Sequence, residues 1–310
     1  MAATGQSEQS WVHTVRYFGI AALSGLCATT VMHPVDTLKV RCQVINEEAG
    51  RNGLRYLVNP LTVARDMWKQ DGFVAFYKGY DSSVLKQCTY QTARLGIYKY
   101  LYDRGIRLYG EVPFFTKLQY SVIAACCGAL VGTPADMTMV RRQSDLALPP
   151  EQRRNYNNVF EALHRIVKQE GVLALWTGLQ YATVRVIAAS ASQLTTFEEV
   201  KERTRKWRGV KHDDIYNRAA AAAVSGLVCA ITALPFDNMK VKFQKMKINA
   251  DGTWPYKSYL DVFAKTFRRE GFLGFWTGFP AFYMYVAPHT LITLVAQDYF
   301  HIFFTKKSTH

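Results

Sequence analysis

A Pro-x-Asp element recurs three times on one beat, as His33-Pro34-Val35-Asp36, Thr133-Pro134-Ala135-Asp136 and Leu234-Pro235-Phe236-Asp237, its prolines 100 and 101 residues apart. A second signal keeps the same phase. Asp71-Gly72, Glu170-Gly171 and Glu270-Gly271 each run into an aromatic-x-Gly end, at Tyr77–Gly79, Trp176–Gly178 and Trp276–Gly278. Two signals in register, three times over, mark a triplicated chain. The thirds divide at 12–110, 111–210 and 211–305. Units of about 100 residues are too long for a solenoid, whose repeats run to roughly 20–50 residues. One integral body of three units is therefore expected.

Long uncharged runs set the environment. Residues 17–35, 118–135 and 219–236 contain no Asp, Glu, Lys or Arg. Each run is 18 or 19 residues long and closes on the Pro-x-Asp element. That is close to the ~20 residues needed to cross about 30 Å of hydrocarbon. A fourth uncharged run covers 271–297, and two further apolar stretches, 80–102 and 179–200, are interrupted by Lys86, Arg94, Lys99 and Arg185. The pattern predicts an all-α membrane protein of six transmembrane helices, two per unit. Mean hydropathy is only −0.08, low for a bundle wholly immersed in lipid. A soluble helical protein, the competing picture, does not account for three spans of matched length and ending.

The second third shows how a unit is built. An apolar helix starts near Lys117 and is broken or kinked at Pro134, which removes a backbone donor; Pro34 and Pro235 do the same in the other units. Ala124, Ala125, Gly128 and Gly132 are small enough to let neighbouring helices approach. Beyond Asp136 and Arg141-Arg142, residues 157–168 place Val159, Phe160, Leu163, Ile166 and Val167 on one face. Such a short amphipathic helix lies on a membrane surface. Gly171 stops it, and the next long helix rises from Gly178. Segments 59–69 and 258–269 fill the same slot. Two spans per unit put all three basic connections on one side, and an even total puts both termini on the other.

The net charge is +14, which raises nucleic-acid binding as an explanation. However, 21 of the 38 Lys and Arg lie in the connections 37–79, 137–178 and 238–278. Basic loops favour the side that is not translocated and attract anionic lipid, so no nucleic-acid partner is expected. The six cysteines have neither metal-ligand spacing nor a disulfide framework. No bound metal is expected. The first residues, MAATGQSEQSW, hold neither an apolar signal core nor an Arg-rich transit helix, which leaves any targeting to the body of the chain. No Gly-rich phosphate loop or nucleophile motif suggests an enzyme. His13, His33, His164 and His212 stand in unrelated contexts.

Charges at membrane depth are costly and mark a water-filled path. Asp36, Asp136 and Asp237 gather at one end if the units surround a threefold axis. Three positions on, the first and third units have Lys39 and Lys240, but the second has Met139. At most two bridges form in such a ring, which can act as a gate; solvated helix-end charges are the alternative. Counted from Gly79, Gly178 and Gly278, seven residues on stand Lys86, Arg185 and Tyr285, and eleven on stand Tyr90, Ala189 and His289. Fifteen on stand Arg94, Gln193 and Thr293. Steps of four keep each set on one helical face. Lys86 and Arg94 lie about 12 Å apart along their helix. Two or three fixed cations at mid-membrane suit a small dianion, because arginine can hold a carboxylate through two parallel hydrogen bonds. Snorkelling to an interface is the competing reading.

With these residues the chain resembles the mitochondrial carrier family over roughly 12–305. The family pattern is Pro-x-acid-x-x-base closing each odd helix, then an acid-Gly step and an aromatic-base-Gly end before each even helix. Thr177 and Thr277 stand where Lys78 keeps the base of that end. Residues 86–104, 131–166 and 287–290 are similar to the oxoglutarate/malate and plant-type dicarboxylate/tricarboxylate branch. The resemblance implies six helices in threefold pseudosymmetry and residence in the mitochondrial inner membrane. It also implies a monomer, bound cardiolipin but no cofactor, and exchange of 2-oxoglutarate, malate or similar dicarboxylates. Substrate contacts carry over to Lys86, Tyr90, Arg94, Arg185, Tyr285 and His289. Where the branch has arginine, this chain has Tyr285, which leaves open another small carboxylate or an amino acid as substrate. The matrix gate falls on Asp36, Lys39, Asp136, Asp237 and Lys240, with Asp136–Lys240 and Asp237–Lys39 as its pairs. The cytosolic gate falls on Glu198, Lys201 and Asp298. There Glu198 would meet His301 and Asp298 the Tyr102 hydroxyl, while Lys99 and Lys201 confront each other.

Overall fold

The structure, a computed structural model, describes residues 2–51, 59–145, 148, 153–208, 215–246, 255–256 and 258–306. Among these residues there is no strand. In order, the helices are α1 (Ala2–Arg51), α2 (Pro60–Asp71), α3 (Tyr80–Tyr109), α4 (Phe114–Asp145), α5 (Val159–Glu170), α6 (Leu179–Arg208), α7 (Ile215–Lys245), α8 (Tyr259–Glu270) and α9 (Phe279–Lys306). Each third is thus a long helix, a short one, a 3-10 turn and a second long helix. The long helices close a ring in which α1 packs on α3, α3 on α4, α4 on α6, α6 on α7, α7 on α9 and α9 on α1. The three short helices gather where α1, α4 and α7 end. That end is called here the short-helix end, and the opposite one the rim.

The prolines do not end their helices. Pro34, Pro134 and Pro235 lie inside α1, α4 and α7, and a fourth, Pro288, lies inside α9. A proline frees the carbonyl four residues before it, and a freed carbonyl at membrane depth needs a donor. The aromatic-x-Gly signal supplies one. Trp176 Nε1 donates to the Leu130 carbonyl at 2.9 Å, four residues before Pro134. Trp276 Nε1 does the same to Ile231, four before Pro235, at 3.0 Å. The first third has Tyr77 in that place, which has no ring N–H. There the Thr30 hydroxyl donates to Leu26 and lies 2.7 Å from the Tyr80 hydroxyl.

The short helices form where the amphipathic pattern predicts them, each with an N-cap. Asn59, Asn158 and Ser258 accept the backbone N–H of Leu61, Glu161 and Asp261. Each ends on a glycine in the left-handed region, Gly72, Gly171 or Gly271. Just ahead of α5 the Asn157 backbone N–H donates to Glu161 in its first turn and holds that carboxyl below its ordinary value. A base five residues after each gate-position aspartate ties the long helix to the short one. Arg41 bonds Asp71 at 2.9 Å, Arg141 grips Glu170 through both terminal nitrogens, and Lys242 bonds Glu270 at 2.5 Å. Burial pushes the Glu270 carboxyl up, and Lys242 opposes that shift.

Four stretches of the described residues are long and apolar enough on their own to cross a membrane: Phe115–Asp145, Val172–Trp207, Tyr216–Lys245 and Phe272–Phe304. Helix α3 is not among them. Its hydropathy is lowered by Lys86, Gln87, Gln91 and Arg94, all of which line the interior of the ring.

Candidate functional site

The ring encloses a cavity of about 540 Å³. Lys86, Tyr90, Arg94, Arg185, Tyr285 and His289 all line it. Helix periodicity explains the convergence: the positions seven, eleven and fifteen residues after Gly79, Gly178 and Gly278 stay on one face of α3, α6 and α9. Asp136 lies at the cavity floor.

Below that point the short-helix end is shut by ions. Lys39 lies 3.2 Å from Asp36 on its own helix and 3.2 Å from Asp237 on α7. Lys240 lies 2.8 Å from Asp136 on α4. Both cross-unit pairs expected for this end are formed. The second unit contributes no base: the Met139 sulfur instead accepts from the Ser83 hydroxyl at 2.9 Å. Two cavity cations join the same network. Lys86 Nζ lies 2.6 Å from Asp136, and Arg185 Nε lies 3.6 Å from Asp237. Arg94 differs. Among the described residues it meets no carboxylate within 4 Å, and its guanidinium sits 6.0 Å from the Tyr90 ring centre.

A layer that sequence reasoning overlooked lies just beyond. Gln143 donates to Asp36 at 3.1 Å, Gln244 to Asp136 at 3.2 Å and Gln43 to Asp237 at 3.3 Å. Each glutamine stands seven residues after the aspartate of its own unit and bonds that of the preceding one in the ring. The spacing repeats three times in the chain, and this was the signal available to find it. The same glutamines run against the glycines that open the even helices. A Cβ at Gly178 would come 3.0 Å from Gln244 Cγ, and one at Gly278 would come 3.4 Å from Gln43 Cγ. Val40, Val140 and Val241, four residues after each aspartate, are buried together with Val44 and Met139 as an apolar plug. The short-helix end is therefore closed three ways, by ion pairs, amides and valines.

At the rim, the ion pairs formed among the described residues each stay within one unit. Glu198 bonds Lys201 of its own helix at 2.9 Å, Lys99 lies 3.7 Å from Asp103 on its own helix, and Asp298 pairs with Arg218 on the adjacent α7. The contacts Glu198–His301 and Asp298–Tyr102, implied for a closed cytosolic gate, are not made. On α9 the wall facing the cavity carries no fixed charge. Tyr285 packs against His289 with ring centres 5.2 Å apart, and Thr290 accepts from Gln193 at 2.8 Å.

A six-helix ring with a charged central cavity, shut at one end, defines a membrane transport protein rather than an enzyme. The chain belongs to the mitochondrial carrier family, whose profile, described as "Mitochondrial carrier protein", matches it three times, over residues 10–106, 110–206 and 211–308. Members of that family are multi-pass proteins of the mitochondrial inner membrane. Among its relatives is a "Probable mitochondrial 2-oxoglutarate/malate carrier protein" of Dictyostelium discoideum, 34% identical over 96% of this chain and 92% of that one. The "Mitochondrial dicarboxylate/tricarboxylate transporter" of Arabidopsis thaliana is 38% identical over 91% of both chains. The human "Mitochondrial 2-oxoglutarate/malate carrier protein" is 37% identical over 90% of this chain and 87% of that one.

Proposed function

We propose that this protein exchanges 2-oxoglutarate, malate or related dicarboxylates across the inner membrane by alternating access. The observation that carries the reading is the convergence of Lys86, Arg94 and Arg185 on one enclosed cavity. The names of the relatives support it. In this reading Lys86, Tyr90, Arg94, Arg185, Tyr285 and His289 contact the substrate. Asp36, Lys39, Asp136, Asp237 and Lys240 form the matrix gate, closed here. Glu198, Lys201 and Asp298 belong to the cytosolic gate, open here. The short helices face the matrix and both termini face the intermembrane space, an orientation supported by the Lys and Arg gathered in the three odd-to-even connections. The protein works as a monomer, with cardiolipin among the lipids around its short helices and no cofactor.

The mechanism follows from who holds the cations. Without substrate, Lys86 and Arg185 add to the closure by facing Asp136 and Asp237. A diacid brings two carboxylates that compete for the same groups. Once they bind, the aspartates lose partners and the closed floor loses part of its advantage. A ligand shifts such an equilibrium only through its differential affinity for the two states. The test is exchange in proteoliposomes preloaded with malate. Arg185→Ala is expected to abolish uptake while the protein stays folded; near-normal uptake by that variant refutes the assignment of the site.

A further inference from the structure

His33 is a buried titratable group that neither the cavity nor the ring of ion pairs uses. It directly precedes Pro34 in α1 and stands three residues before Asp36. Its Nε2 lies 3.3 Å from the Lys78 carbonyl. A carbonyl only accepts, so Nε2 carries a hydrogen. Its Nδ1 lies 3.1 Å from the Ser83 hydroxyl, which also donates to the Met139 sulfur. Nδ1 of the neutral ring is therefore the place where one further proton can add. The rings of Tyr77 and Tyr80 stand 6.0 and 5.5 Å away, centre to centre.

The charged groups around His33 depend on the second unit. On its own helix the neighbour is Asp36, and from α3 come Asp81 and Lys86. Helix α4 holds all three. Arg142 pairs with Asp81, Asp136 lies 2.6 Å from Lys86, and Gln143 donates to Asp36 at 3.1 Å. Asp81 also accepts the Val159 backbone N–H of the second unit at 2.8 Å. Asp36 has Lys39 of its own helix beside it. With the floor shut, both acids near His33 are thus answered by other cations and donors, and the ring is out of water. A buried cation without an acid of its own is costly. Parting the seam between the first and second units takes Arg142 and Val159 from Asp81, Met139 from Ser83 and Gln143 from Asp36. It leaves the Asp81 carboxylate on the same unit as His33 and lets water reach both.

We infer that His33 is a proton-binding site of the matrix floor, neutral while the floor is shut and taking one proton on Nδ1 from matrix water when this seam parts. The inference rests on the alternating-access reading and adds matrix pH as its regulator. A proton that binds the open form more tightly favours opening as pH falls. The equivalent places in the other units hold Thr133 and Leu234, which do not titrate, so the device acts at one seam of the three.

Val140 lies in the buried plug, and a thiol in its place reacts only when the floor opens. The test is labelling of Val140→Cys by methyl methanethiosulfonate in proteoliposomes with malate on both sides, read at that position by mass spectrometry, with and without His33→Gln. Glutamine keeps a donor for the Lys78 carbonyl and cannot titrate. Dividing the two rates cancels the ionisation of the thiol itself. The rate with His33, relative to that with His33→Gln, is expected to rise about three- to tenfold from about pH 8 to about pH 6. A ratio that stays level or falls overturns the inference. Because His33→Gln can impair folding, the intact histidine gives a second reading: hydrogen–deuterium exchange at its ring carbon reports its protonated fraction. Gln143→Ala, which removes an amide from across the seam, should raise that fraction about twofold or more at about pH 7; an unchanged fraction also overturns the inference. Absence of Cys labelling at every pH would instead refute the alternating access beneath it.

Discussion

The two ends of the barrel use the same residue types in opposite ways. At the short-helix end each of the three gate-position aspartates reaches across a unit boundary: Asp237 to Lys39 and Gln43, Asp136 to Lys240 and Gln244, Asp36 to Gln143. At the rim, Glu198 and Lys201 satisfy each other one helical turn apart. Side-chain exposure there is 52% and 28%, against 6% and 4% for Asp136 and Lys240. A pair within one helix holds nothing together. A pair across a boundary, out of water, holds two units in one relative position. The lesson is that gating depends on where a bridge is made rather than on how many charges are present.

The comparison can be broken first at its strongest point. Asp136→Ala leaves Lys240 and Lys86 without their shared carboxylate at the floor. It is expected to cost about 3–5 kcal/mol, read as a lowered unfolding midpoint in detergent. Glu198→Ala at the rim should cost less than about 1 kcal/mol in the same assay. Equal losses would show that the two ends do not differ as described. Next comes Gly178→Ala. Its φ of 86° is costly for a residue with a Cβ, by about 1–2 kcal/mol, and the new methyl presses on Gln244. Thermal stability should fall by at least that amount, and malate exchange with it.

A gentler change sharpens the contrast. Met139→Lys offers Asp36 the cross-unit base it lacks. With a third bridge the floor should open less readily, and exchange should slow by about three- to tenfold, equivalent to roughly 1 kcal/mol on the barrier. Faster exchange would contradict closure by ion pairs. The smallest effect is expected away from both ends. Asn158→Ala removes the N-cap of α5 and should cost about 1 kcal/mol of stability in the same unfolding assay.

Much of this was legible in the chain because helices write their faces into local spacing. The thirds, the six long helices, the three short ones and the cavity face of α3, α6 and α9 all follow from periods of three, four and about a hundred. Other features depend on ring closure, which no local window encodes. Nothing near Lys86 announces Asp136, fifty residues on, as its partner, and nothing near Arg185 announces Asp237. The indole bonds from Trp176 and Trp276 to carbonyls freed by Pro134 and Pro235 were likewise hidden. Both halves of each bond stand in the sequence as separate signals, but only folding shows that one answers the other. Helix α3 shows the reverse difficulty. The polarity that weakens it as an apolar span is the polarity of the cavity it lines.

The glutamine layer has a consequence for how such a protein can be assembled at all. Gln143, Gln244 and Gln43 each complete an acid belonging to a different third and lean on or near the glycine that opens that third's second helix. No third is self-sufficient, and two thirds joined would still present one amide without its carboxylate and one carboxylate without its amide. The count of three is thus written into the hydrogen bonding. A chain truncated by one third can regain the closed form only if the missing third is supplied as a separate piece that docks into both open seams at once.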